Sequence, residues 1–469
     1  MSREVGKERP FPPVFAGRRF AVMGLGRNGQ AAAAALAAMG AEVAAWDDNK
    51  SAREAAAAQG IRVAPALLDP PLPEALVLSP GIPHALPIPH PLAARARALG
   101  VPILSDAELL FRAVRAADSR ARFIGITGTN GKSTTTALLA HMLRAAGVPA
   151  AAGGNLGPAA LALPLLPEIG CYVIEMSSYM LERIEAFSFD VAVLLNISPD
   201  HLDRHGDVAG YIAAKRRIFG RRSPGGLAVV GIDDPPSIEI AATLTPPLRR
   251  ISGTSPADLW CDAGTLRDRS GALLPMREAA ALPGAHNAQN AAAAAAVALY
   301  LGLPRACLAD ALRSFPGLPH RQQHICSLDG IAFIDDSKAT NADAAARALA
   351  CYPRLVWIAG GIGKKGGIEP LAPLFPRIAE AFLIGRDAAL FSVTLARHGV
   401  AHKIADALED AVPAAHAAAR VRAVPVVLLS PAAASFDQFQ SFEERGQRFA
   451  ALARGLAAGE SEGEKGKAA

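Results

Sequence analysis

The stretch Ile126-Thr127-Gly128-Thr129-Asn130-Gly131-Lys132-Ser133-Thr134 combines glycine-freed backbone amides, one ammonium group and adjacent hydroxyls. That set suits a phosphorylated ligand. Loop N–H groups and a helix N-terminus cradle phosphates, Lys132 reaches the terminal phosphate, and the Ser133 hydroxyl holds Mg²⁺. The generic pattern G-x-x-x-x-G-K-[ST] asks for Gly where this chain has Ile126, so only its Gly-Lys-Ser end is matched. An ordinary glycine turn before a helix would explain Gly131 but not Lys132 followed by Ser133-Thr134-Thr135.

A second cluster, Gly24-Leu25-Gly26-Arg27-Asn28-Gly29, fits G-x-G-x-x-G, with Asp47 and Asp48 about 20 residues on. Taken alone it points to an NAD-dependent dehydrogenase. Its geometry requires only that a phosphate-bearing ligand approach a tight turn at a helix N-terminus, and a nucleotide-sugar diphosphate meets that as well as NAD does.

Other polar residues sit just past apolar runs. Glu175 follows Tyr172–Ile174, and Asn196 to His201 follow Val191–Leu195. In an open α/β sheet such positions face the ligand crevice, so a carboxylate and an imidazole can meet the phosphate loop there. Lys215, in Ala213-Ala214-Lys215-Arg216-Arg217, taken by itself is a solvated helix lysine.

These residues need elements to carry them. Phe20–Met23 is a short apolar run before the first glycine cluster, and Ala31–Leu36 is a strong helix former ending at Gly40. Ala41–Trp46 and Ala75–Leu78 repeat the strand-like pattern, which predicts alternating β/α units and a parallel sheet. The Pro-rich stretch Pro65–Pro91 is a set of surface loops rather than a linker. From Phe123 to about Leu318 the alternation resumes, with a long helix over Asn287–Leu301. Strands at Ile331–Ile334, Leu355–Ala359, Ala381–Ile384 and Val424–Leu429 make a third set, before a polar Gly/Glu/Lys tail at Gly459–Ala469 that is expected to be disordered.

The 469 residues allow about three domains at roughly 100–200 residues each. With 51% hydrophobic and 19% charged residues the composition is globular. A net charge of +5 without basic runs argues against a nucleic-acid partner. The five cysteines are scattered without a C-x-x-C, which offers neither a zinc set nor a disulfide framework and suits a reducing cytosol. Met1–Pro10 has no apolar core of a secretory signal, and the Ala-rich stretch near Ala291–Leu303 is a packed helix rather than a membrane span. A cytoplasmic protein is expected, with no membrane partner.

Several segments together carry a family resemblance. Thr127 to Ser133, Glu175-x-Ser177-Ser178, Asp200-His201-x-Asp203-Arg204, Ala213-Ala214-Lys215, Gly284-x-His286-Asn287-x-x-Asn290, Pro319-His320-Arg321 and Asp336-Ser337-Lys338-Ala339-Thr340-Asn341 resemble the Mur ligases of bacterial peptidoglycan synthesis. Order and spacing agree over nearly the whole chain. Ser79-Pro80-Gly81-Ile82 and the run Leu429 to Phe439 look most like the members that add D-glutamate.

The resemblance implies three α/β domains: a Rossmann-like UDP-binding domain over 1–117, a central P-loop-type ATPase domain over 118–317, and a Rossmann-like C-terminal domain over 318–458, with the tail over 459–469. It implies an ATP-dependent amide ligase, a monomer, joining D-glutamate to UDP-N-acetylmuramoyl-L-alanine through an acyl phosphate. On that basis Gly128, Thr129, Asn130, Gly131, Lys132, Ser133 and Thr134 bind the ATP phosphates. Asn287, Asn290, Arg321 and Asp336 make the other ATP contacts. Ser133 and Glu175 hold one Mg²⁺, and His201 and a carbamylated Lys215 hold a second, which makes Lys132, Glu175, His201 and Lys215 the catalytic set. Gly26, Arg27, Asn28, Asp47, Asp48, Ser79, Pro80 and Gly81 meet the uridine diphosphate, and Asn155 the muramoyl portion. Lys338, Thr340, Lys364, Ser435 and Phe442 shape the D-glutamate site, Lys364 being chosen over Lys365 by motif position.

Overall fold

The computed structural model describes residues 9–155, 157–364 and 366–465. The chain divides into two compact units, the first of residues 1–278 and 287–314, the second of 279–286 and 315–469. Among the described residues, no helix is long and apolar enough to cross a membrane.

The first unit carries two sheets. The smaller has the order Glu42–Trp46, Arg19–Met23, Ala75–Leu78, Ile103–Leu104, all parallel. Its central strands are buried on both faces, hence the unbroken apolar runs Phe20–Met23 and Ala75–Leu78. The larger sheet is nine-stranded, in the order Gly271–Pro275, Thr265–Asp268, Leu259–Asp262, Leu248–Ser252, Arg222–Gly231, Phe189–Leu194, Arg122–Thr127, Cys171–Glu175, Ala150–Gly154. Seven of these strands, from Leu259–Asp262 to Ala150–Gly154, run parallel, as expected for the core. The three from Leu259 to Pro275 are joined antiparallel, an extension that the β/α pattern does not foretell.

A single apolar cluster runs between the two sheets of this unit. Phe111 of the helix Asp106–Ala116 stacks on Phe187 at 5.0 Å and meets Phe123 edge-on at 5.2 Å. That helix is also fixed by charge. The fully buried Glu108 carboxylate accepts N–H bonds from Glu185, Ala186 and Phe187 and pairs with Arg112.

The second unit is a six-stranded sheet in the order Gln323–Leu328, Ile331–Asp335, Val426–Leu429, Leu355–Gly360, Ile378–Ile384, His402–Asp406, parallel except for its first strand. Apolar clusters cover both of its faces. A two-stranded ladder, Ile362–Gly363 with Ala433–Ala434, ties together two loops at its carboxyl edge. The last helix is Phe442–Lys465, so the tail expected from Gly459 begins inside it, and residues 466–469 lie outside the described residues.

Candidate functional site

The register Ile126↔Glu175 and Thr127↔Leu194 brings three strand ends of the first unit to one edge. The phosphate-loop segment leaves the middle one. Gly128 and Gly131 take φ of +153° and +84°, the second in the left-handed region where a side chain is strained. A Cβ on Gly131 would stand 2.1 Å from Asn290 Oδ1, so the glycine is required by space as well. The helix Lys132–Ala145 starts at once, with N–H groups of its first turn facing the loop.

The loop is braced from the side. Asn196 accepts the Asn130 N–H at Oδ1 (2.9 Å) and donates to Gln289 Oε1 (2.8 Å), while Thr129 Oγ1 bonds Ser198 O and lies 3.2 Å from Tyr211 Oη. In the helix Ala285–Tyr300, Asn290 donates to Asn287 Oδ1 and accepts from Thr135, so both predicted asparagines are buried beside the loop.

Lys132 Nζ folds back onto Gly128 O and Thr129 O, each at 2.9 Å. Lys215, 1% exposed, donates to the same Gly128 O at 2.8 Å and stands 4.6 Å over the Tyr211 ring. It is not the solvated helix lysine its sequence neighbours suggest. Burial, with Lys132 nearby, holds its pKa well below the usual lysine range, against the opposing pull of Asp200 and Glu175. Glu175 is buried. Its Oε1 accepts from Asn155 Nδ2 at 3.2 Å, and its Oε2 has no hydrogen-bond partner.

His201 caps the short helix Leu202–His205 with left-handed backbone (φ 52°), half-exposed, its Nε2 3.4 Å from Asp200 Oδ2. Among the described residues, no three His, Cys, Asp or Glu side chains converge as a metal-ligand cluster. An unpartnered buried carboxylate oxygen on the strand next to the one that feeds the phosphate loop nonetheless fits Mg²⁺, which takes one or two protein oxygens and completes its shell with phosphate and water.

The first glycine cluster forms its own turn. A Cβ on Gly29 would lie 1.7 Å from Gly24 O, and one on Gly24 (φ +94°) would meet Ser79 Oγ at 2.6 Å. The hydroxyl of Ser79 donates to Gly24 O. Gly26 caps the helix Arg27–Ala38 with open space around its Cα, and Asn28 reaches Gly154 O at 3.5 Å. Asp47 bonds the Leu25 N–H at 2.6 Å and the Asn49 N–H at 2.8 Å, and Asp48 meets His90 at 3.0 Å. Pro80 and Gly81 follow, with Gly81 O accepting from Arg204. Thus the residues expected at a uridine diphosphate do gather, yet Asp47 is already engaged by its own loop. Two arginines secure this loop: Arg204, from the Asp200–Arg204 motif, and the fully buried Arg183, which no motif singles out and which donates to Leu78 O at 2.5 Å.

In the second unit, Asp336 follows the strand Ile331–Asp335 and is buried, accepting from Ser430 Oγ (2.7 Å) and Gln322 N (3.2 Å). Burial pushes its carboxyl up to about 7, with Ser430 and Arg321 opposing. Lys338 Nζ stands 4.0 Å over the Phe442 ring, and Thr340 N bonds Lys338 O. Ser435 is buried, its carbonyl accepting from Gln438 and Phe439. Lys364 lies in a turn closed by Gly367 N, and Lys365 lies outside the described residues. What the motifs miss is Arg445, 1% exposed, which donates to Ser337 Oγ and O, Gly360 O and Ala433 O. It occurs three residues after Phe442, and only the tertiary structure separates it from the half-exposed Arg448 on the same helix.

A strand, a phosphate loop with Lys132 and strand-end carboxylate and imidazole groups define a nucleotide-dependent ligase fold of the Mur type: a family model described as the Mur ligase middle domain matches residues 126–298. Residues 4–84 also match the NAD-binding domain of D-isomer-specific 2-hydroxyacid dehydrogenases, the dinucleotide-type turn noted above. Among curated relatives, the UDP-N-acetylmuramoylalanine--D-glutamate ligase of Paramagnetospirillum magneticum is 49% identical, over 94% of this chain and 97% of that one. The protein of the same name from Caulobacter sp. strain K31 is 47% identical, over 94% and 97%. The chain belongs to this family, the D-glutamate-adding branch of the Mur ligases. Solved structures share the fold: UDP-N-acetylmuramate-alanine ligase MurC of Thermotoga maritima (TM-score 0.62, 18% identity, 94% of this chain and 99% of that one) and MurF of Acinetobacter baumannii (TM-score 0.55, 23% identity, 74% and 80%).

Proposed function

We propose that the chain is an ATP-dependent amide ligase that adds D-glutamate to UDP-N-acetylmuramoyl-L-alanine in peptidoglycan precursor synthesis. The observation that carries the chemistry is the phosphate loop at the end of Arg122–Thr127, with Lys132 and Lys215 on one carbonyl and Glu175 Oε2 left open. In the first step a carboxylate oxygen of the substrate attacks the γ-phosphorus of ATP, ADP leaves, and an acyl phosphate forms. The D-glutamate amine then attacks the carbonyl carbon, phosphate leaves, and the amine gives up a proton.

Phosphoryl transfer of this kind needs in-line positioning and charge neutralisation more than a protein nucleophile. Lys132, freed from Gly128 O and Thr129 O, turns its ammonium to the phosphates, and the loop amides from Thr129 to Thr134 hold them. Ser133 and Glu175 would hold one Mg²⁺, and His201 with a carbamylated Lys215 a second, supplying positive charge to the transferring group. The neutral amine that burial favours at Lys215 is the form that adds CO₂. Asn155 would orient the muramoyl portion from its place on Glu175, while Gly26–Asn28 and Ser79–Gly81 would take the uridine diphosphate. In the second unit, Lys338, Thr340, Lys364, Ser435 and Phe442 would bind D-glutamate, and Arg321 and Asp336 ATP. A division at 1–117, 118–317 and 318–458, a monomeric state and a cytoplasmic location belong to the same proposal.

The deciding experiment is phosphate release from ATP with UDP-N-acetylmuramoyl-L-alanine and Mg²⁺, with and without D-glutamate. Turnover that requires D-glutamate supports the proposal; turnover with L-glutamate or a diamino acid instead sinks it. Saturable NADH binding with hydride transfer would favour the dehydrogenase reading of Gly24–Gly29.

A further inference from the structure

Beside the strand-end residues of the first unit lies a buried polar cluster to which no role has been given. Ser177 and Ser178 divide their work. Ser177 accepts the Met180 N–H as the cap of the helix Ser178–Leu181, while the Ser178 hydroxyl meets His205 Nε2 at 2.9 Å. On the other side of that imidazole, Nδ1 faces Glu182 Oε1 at 3.3 Å without a hydrogen bond to it, with the side chain only 1% exposed. The other carboxylate oxygen of Glu182 lies 3.5 Å from His84, so the cluster is also anchored to the loop that follows Ser79–Ile82.

The fixed imidazole has a face, and that face lies against Tyr179. The rings are 5.4 Å apart and 8° from parallel. Tyr179 is in turn covered by the Arg204 guanidinium at 4.5 Å and touched by the His201 imidazole at 5.2 Å, tilted by 55°. His201 itself stands on left-handed backbone, a conformation uncommon for a residue with a side chain and retained where its surroundings impose it.

We propose that His205, held by Ser178 and facing Glu182, is a positioning residue that sets the His201 imidazole through the ring of Tyr179. The effect on metal binding rests on the reading of His201 as an Mg²⁺ ligand; the placement of the ring does not. Two readouts separate them. In metal-free protein, proton–carbon NMR of the His201 ring reports the ring current of Tyr179, and it should shift in Tyr179→Leu and in His205→Phe, which keeps an aromatic face but loses both polar contacts. Mn²⁺ binding followed by electron paramagnetic resonance should weaken about 10–100-fold in both variants, as for other residues that orient a ligand, with unfolding midpoints recorded alongside. The double variant should bind Mn²⁺ no worse than Tyr179→Leu alone, because His205 acts through that ring. An unchanged His201 resonance in folded His205→Phe overturns the proposal, since loss of the Tyr179 ring current alone accounts for a shift in Tyr179→Leu. A shifted resonance with unchanged Mn²⁺ affinity in His201→Ala keeps the positioning role and removes the metal reading.

Discussion

Lys132 and Lys215 converge on a single acceptor, the carbonyl oxygen of Gly128, at 2.9 and 2.8 Å. Burial above all, and then the charge of Lys132, disfavour the charged form of Lys215. Lys215 is therefore set up to react as an amine. With ¹³C-labelled bicarbonate, the wild-type protein should show a carbamate carbon signal that Lys215→Arg lacks. The same substitution keeps a positive charge but cannot form the carbamate, and should lower ligation by about 10–100-fold or more.

Lys132 donates to two carbonyls of its own loop. Lys132→Ala should lower kcat for phosphate release by about 10²–10³-fold, the usual loss for one preorganised charge-stabilising donor. A drop in KM for D-glutamate with kcat intact would contradict this assignment.

Gly131→Ala tests the loop's geometry. The left-handed backbone costs roughly 1–2 kcal/mol with any side chain, and the new methyl would collide with Asn290 Oδ1. The variant should melt at lower temperature and bind ATP more weakly by calorimetry. Adding Asn290→Ala should return part of the stability, since one of the two penalties is steric.

The Lys338–Phe442 contact at 4.0 Å is a cation–π pair. Such contacts are worth about 0.5–2 kcal/mol. Phe442→Leu should raise KM for D-glutamate by about 2- to 30-fold and leave KM for ATP alone; equal changes in both would separate Phe442 from the amino-acid substrate.

Asp336 gives a pH dependence of definite sign. Its folded-state carboxyl titrates at about 7 rather than 3.8, so the folded protein keeps a proton there that the unfolded chain has released. Stability from this group is fully present below about 3.8, declines by about 1.4 kcal/mol per pH unit above it, and is gone once pH passes about 7. Denaturant unfolding at several pH values should show that slope in the wild type and lose it in Asp336→Asn. Above pH 7 the ionised carboxylate is the better acceptor for ligand hydroxyls.

The features legible from sequence are those written locally. The turn at Gly128–Gly131 and the runs ending at Ile174 and Leu195 place Lys132, Glu175 and His201 at one sheet edge, because period and glycine position encode a strand, a tight turn and a helix start. Lys215 was legible only through resemblance, since four flanking residues of a helix say nothing about the carbonyl it will meet. Arg183, His205 and Arg445 were not legible at all. Their partners lie from 12 to 108 residues away in several cases, and a buried arginine has the same letter as a solvated one. The antiparallel strands from Leu259 to Pro275 escaped for a related reason: short, half-exposed strands carry little apolar periodicity.

Arg445 joins the turns after three strands of the second unit, at Ser337, Gly360 and Ala433. Their carbonyls share one buried donor, so none can open without leaving that guanidinium short of a partner. The turns that carry Lys338, Lys364 and Ser435 therefore behave as one cooperative unit, and their amide hydrogens should exchange with solvent as a set rather than turn by turn. For an amino-acid pocket assembled from distant segments, that makes order an all-or-none property.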